Sequence, residues 1–156
     1  MDHHHDSTTS AGTTWRAAAS ATLHCLTGCA IGEVLGMVIG TALGWGTVPT
    51  IVLAVALAFV FGYAFTLRGV LAAGVTFAAA LQVALAADTV SIAVMELVDN
   101  AVVLLVPGAM DAGLGSALFW ASLAVALAVA FFAAWPVNRW LIARGRGHAV
   151  VHRYHH

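Results

Sequence analysis

Long apolar runs, interrupted at only a few places, dominate this chain. The first runs from Ala17 to Gly44, and Glu33 is the only charged residue inside it. A run of that length predicts a transmembrane helix rather than a helix of a soluble core. Trp45-Gly46-Thr47-Val48-Pro49 reads as a turn. A second apolar helix is expected from Thr50 to Leu67, closed by Arg68-Gly69. Val70 to Val106 then continues without a proline or a clear turn. As one straight helix this segment would be ~55 Å long, against a hydrocarbon layer of ~30 Å. The pattern therefore predicts a third helix that is either long and tilted or broken near Ala87-Asp88, with Val70 to Ala78 as an interfacial or bent extension. Pro107-Gly108 ends it, and a fourth helix is expected from Leu118 to Trp135, continuing to Ile142 through a kink at Pro136.

The fold class this implies is all-α, a polytopic transmembrane helical bundle of four spans with one long or broken third helix. The membrane domain covers residues 15–143, between a disordered, histidine-containing N-terminal tail (1–14) and a basic, histidine-rich C-terminal tail (144–156). Four spans place Arg16, Arg68, Arg139, Arg144 and Arg146 on one side of the bilayer. The positive-inside rule then puts both termini in the cytoplasm of a multi-pass cell-membrane protein. Five spans would strand the arginine-rich C-terminus outside. Trp15, Trp120, Trp135 and Trp140 fall where interfacial anchors are expected.

Composition narrows the function. The chain is 62% hydrophobic and 8% charged, so lipid must cover much of its surface. Its formal net charge is −1 and it has no basic block, which excludes a nucleic-acid partner. The first residues lack the positive region of a signal peptide. No CxxC, HExxH, dinucleotide fingerprint or Walker loop is present, and the expected protein is not an enzyme. The only cysteines, Cys25 and Cys29, stand one helical turn apart. Their Cβ atoms would be ~5–6 Å apart, wider than a relaxed disulfide wants, so they read as free thiols.

Two polar stripes carry the candidate chemistry. On helix 1, Cys25, Cys29, Glu33 and Met37 repeat every four residues, one residue along from Gly28, Gly32, Gly36, Gly40 and Gly44. The glycines form overlapping GxxxG patterns, a ridge for close helix packing within the chain or across a homo-oligomer. On helix 3, Gln82, Asp88, Thr89, Met95, Glu96, Asp99 and Asn100 share one broad face, with Ser91 at its edge. Carboxylates inside an apolar helix are costly unless paired, protonated, hydrated or metal-bound. Facing each other, the stripes would form a column from Asp88 and Cys25 through Cys29 and Glu33 to Glu96 and Asp99.

Thiolate and imidazole ligands suit copper, and less well zinc. The leading expectation is a membrane protein that binds or transports such a soft ion, with His24, Cys25, Cys29, Glu33, Asp88, Glu96 and Asp99 as metal residues. The bland alternative is a structural or accessory membrane subunit, in which cysteines are core packing and the acids pair across helices. A third reading is a proton or cation channel indifferent to the thiols. Met37 and Met95 read as packing. No catalytic and no cofactor-binding residue is expected; a copper or zinc ion is the one cofactor in view.

Three strings give the chain a resemblance: HCLTGCAIGEVLGMVIG at His24 to Gly40, ADTVSIAVMELVDNAVVLLVPGAMDAG at Ala87 to Gly113, and FWASL followed by PVNRWLIARGRGHAVVHRYH near the end. On these strings it resembles the uncharacterised membrane-protein family called domain of unknown function 4396. The resemblance covers nearly everything past the first dozen residues. It implies a small multi-helix membrane protein and a possible metal-handling partner protein. It also implies that His148 and His152 belong to the family pattern.

Overall fold

A computed structural model describes the backbone of residues 6–109 and 111–154 and the side chains of residues 15–82, 85–109 and 111–144. Four helices follow one another: α1 (Asp6–Ala42), α2 (Thr47–Ala72), α3 (Phe77–Leu105) and α4 (Ala117–Tyr154). Each contains a stretch long and apolar enough to cross a bilayer: Trp15–Ala42, Thr47–Ala72, Phe77–Leu105 and Ala117–Arg144. The chain is therefore an all-α, four-helix, multi-pass membrane bundle.

The boundaries correct the sequence reading in three places. α2 does not stop at Leu67 but continues through Arg68-Gly69 to Ala72. The long segment then breaks at residues 73–76, not near Ala87-Asp88; Gly74 makes the turn with φ +86°. That left-handed conformation is open to glycine at little cost, which is why the break sits there. Gly44 plays the same part in the α1–α2 turn, at φ +66°. Finally, helix occupies much of what was read as tail. α1 reaches back to Asp6 and α4 runs on through Pro136 to Tyr154. An established helix adds residues easily, gaining one hydrogen bond for each residue fixed. Met1 to His5, His155 and His156, and the side chains of His148 and His152, lie outside the described residues.

The bundle is built inside out relative to a soluble protein. Leu23, Val52, Val60, Leu97, Leu104, Phe132 and other large apolar side chains are exposed. The buried positions are mostly small or polar, as expected where lipid removes the hydrophobic drive between helices. α2 buries Thr50, Ala54, Ala58 and Gly62 at a four-residue period. α4 buries Ser122, Ala126, Ala130, Ala134 and Asn138 at the same period.

The glycine ridge of α1 is used inside the chain. A Cβ placed on Gly28 would lie 2.8 Å from the backbone nitrogen of Gly62; on Gly32 and Gly36 it would overlap Ala58 and Ala54, and on Gly40 it would overlap Thr50. Backbone thus lies directly on backbone from Gly28 to Gly36, and the Thr50 side chain lies against Gly40. Of the two uses expected for Gly28, Gly32, Gly36 and Gly40, packing within the chain is the one observed, with α2 against their surface.

Replacing Gly32 by Val should lower the unfolding midpoint in detergent by the equivalent of about 1–3 kcal/mol or more, the cost of overpacking. Gly69→Ala should leave the midpoint unchanged or slightly raised, since nothing lies within 4 Å of the added carbon. Circular dichroism melts of the two variants beside the parent check this.

Candidate functional site

Position along α1 decides which polar groups meet. Thr22, Cys25, Cys29 and Glu33 all lie on the buried stripe. On α3 the buried stripe is Asp88, Ser91, Ile92, Met95, Glu96 and Asp99. The two stripes run side by side in the same direction, so each step up α1 meets the next step up α3.

At the end nearer the termini, the Cys25 thiol donates to Asp88 Oδ1 at 3.5 Å. Thr66 of α2 lies beside the same carboxyl. One turn on, Cys29 lies beside Cys25 and Glu96. A turn further, the Glu33 carboxyl lies beside those of Asp99 and Glu96. The two stripes therefore meet, with Glu96 beside Cys29 as well as Glu33. Both thiols are free and buried. Met95 packs in the same cluster with Ile92, Ala58, Ala130 and Ala134, a packing role rather than a ligand role.

His24 does not join the column. It is exposed on the neighbouring face of α1, its Nδ1 2.8 Å from the Ser20 carbonyl oxygen. Consecutive helix residues point ~100° apart, so burying Cys25 turns His24 outward. Gln82 and Thr89 are also exposed, although they were read as part of the polar face of α3. Among the described residues, no three His, Cys, Asp or Glu side chains converge as a metal site.

The two halves of the column differ. Near the termini, polar groups find partners across helices. Asn138 Nδ2 donates to Thr22 Oγ1 at 2.8 Å, and Thr22 in turn donates to the Ala18 carbonyl at 2.6 Å. Tyr63 and Thr89 hydroxyls meet at 2.6 Å. Trp135 Nε1 donates to the Trp15 carbonyl at 3.0 Å, and the Arg139 guanidinium lies 4.3 Å from the Trp15 ring centroid. Toward the α1–α2 turn the acids lack such partners. Glu33 Oε2, both Glu96 carboxyl oxygens and Asp99 Oδ1 are buried without a hydrogen bond; in the other half the same holds for Asp88 Oδ2, Ser91 Oγ and Arg139 Nε. Glu33, Glu96, Asp99 and Asn100 instead line a cavity of about 210 Å³ that reaches Trp45 and Thr47 in one connection and Ala109 and Ala112 in the other.

Several of these residues escaped the sequence reading. Thr22 continues the Cys25–Cys29–Glu33 stripe one step backward, a signal that was available. Asn138 extends the buried period of α4, where the sequence reading looked only for interfacial anchors. Ser91, placed at the edge of its face, is fully buried.

Cys25→Ser should preserve the donor to Asp88 and shift stability little. Cys25→Ala should cost about 1–3 kcal/mol, because it leaves a buried acceptor unpaired and a small void. Equilibrium unfolding of both variants in mixed detergent micelles measures the difference.

Comparison with curated proteins and with solved structures gave no match. The model of the family described as Domain of unknown function (DUF4396) matches residues 14–147. That span holds all four membrane-crossing stretches and every residue of the column, and the chain belongs to the DUF4396 family.

Proposed function

We propose that this protein admits protons or another small cation into its buried carboxylate column from the end where the α1–α2 turn and the α3–α4 loop meet. One observation carries the reading. Glu33, Glu96 and Asp99 are only 7%, 6% and 5% exposed, yet each presents unpartnered carboxyl oxygens and all three line the same cavity. A lone buried carboxylate is strongly disfavoured, so such groups hold a proton, water or a cation. The partnered half of the column, from Thr22–Asn138 to Cys25–Asp88, acts as the seal at the other end. The proposal is of a non-catalytic protein, oriented with its termini in the cytoplasm; the arginines at residues 16, 68, 139 and 144 near that end support this.

A second reading has its own support. The Asn138–Thr22, Cys25–Asp88 and Tyr63–Thr89 contacts are what a structural or accessory membrane subunit uses to fix its helices. Binding of copper or zinc, and with it a metal-handling partner, has weaker support. Two thiols and Asp88 supply suitable atoms, but His24 faces away and no three-ligand cluster forms among the described residues.

Proteoliposomes enclosing a pH-sensitive dye, under an imposed membrane potential, test the proposal. The parent should carry protons, or a cation exchanged for them. Glu33→Gln and Glu96→Gln should each reduce flux about tenfold or more. The Cys25→Ser, Cys29→Ser double variant should retain it. No flux from any preparation, with Glu33→Gln and Glu96→Gln losing assembly instead, would favour the accessory-subunit reading. Flux that needs the thiols and added copper or zinc would restore the metal reading.

A further inference from the structure

The cavity has two unlike walls. One carries the carboxyls of Glu33, Glu96 and Asp99 beside the Asn100 amide. The other is apolar, formed by Val34, Ile51, Val55 and Leu123 with the aromatic rings of Trp45 and Phe119. An inorganic ion would use only the first wall. It would also need the oxygens to converge, and among the described residues no three acidic, histidine or cysteine side chains do so.

A polyatomic cation meets both conditions. Its several N–H donors can each take a separate carboxyl oxygen. Its carbon body can displace water from the apolar wall, and aromatic rings favour a nearby cation. The size agrees. A dry cavity of roughly 150 Å³ holds a benzene molecule, and this one has about 210 Å³. Four unpartnered oxygens on side chains more than nine-tenths buried — Glu33 Oε2, Glu96 Oε1 and Oε2, and Asp99 Oδ1 — supply the acceptors.

We infer that the cavity between α1, α2, α3 and α4 binds a small organic ammonium ion, a primary or secondary amine carrying a single ring or a short branched alkyl group. The inference rests on the preceding reading of the carboxylates as a cation site and names its occupant. The ammonium head lies against Glu33, Glu96 and Asp99. The apolar body points to Trp45 and Phe119, the side from which the turn residues give access.

Isothermal titration of the purified full-length protein in detergent with benzylammonium chloride tests this, with benzyl alcohol as the neutral isostere. Saturable one-to-one binding of benzylammonium is expected, with benzyl alcohol unable to compete. Removing one member of a buried charge pair is costly, so Glu33→Gln or Glu96→Gln should weaken binding about thirtyfold or more. Trp45→Leu, which leaves the acids intact, should weaken it a few-fold. The inference is overturned if benzylammonium does not saturate, if benzyl alcohol competes equally well, or if properly folded Gln variants bind as tightly as the parent. The competition arm uses only the parent protein and decides the matter even if the Gln variants fail to fold. Carboxylate-dependent proton flux without benzylammonium binding would overturn this inference and leave the preceding proposal standing. Absence of both would overturn both.

Discussion

The rest of the structure depends on how closely α1 approaches α2. Along Gly28, Gly32 and Gly36 the backbones meet directly, and at Gly40 only the Thr50 side chain lies between them. In lipid, helices gain little from burying apolar surface against one another, so association rests on dense packing and on polar contacts. A glycine ridge against Gly62, Ala58, Ala54 and Thr50 supplies that density without long side chains. It also fixes the rotation of α1. With the glycines held on α2, Cys25, Cys29 and Glu33 must turn to the adjacent face, toward α3, and His24 must turn out of the bundle.

That rotation produces a membrane interior with two characters. Near the termini, amide, hydroxyl and thiol groups are matched across helices, and Trp15, Trp135 and Arg139 close the end. Toward the α1–α2 turn, three carboxyls share a cavity without matching donors. A bundle held only by polar contacts would gain nothing from orphaned carboxyl oxygens, since each unpaired buried group weakens it. The gathering of three such acids on one cavity, more than the acids alone, separates a site from a scaffold. The large exposed leucines, valines and phenylalanines leave the buried positions mostly to small or polar residues.

The amino-acid sequence by itself determined the membrane class, the four spans, the two polar stripes and the order of groups along them. Those properties follow from length, hydropathy and the helical period, which are local. The break at Gly74 was missed because a glycine inside an apolar run has no distinguishing flank; only the backbone's positive φ reveals it. The partner of the glycine ridge, the outward turn of His24, the Asn138–Thr22 bond and the split between matched and unmatched halves were decided by the tertiary structure alone. Each depends on the rotation of one helix against another. A helix with polar groups on one face and small residues on the next can be rotated to bury either, and only the packing of backbone against backbone selects between them.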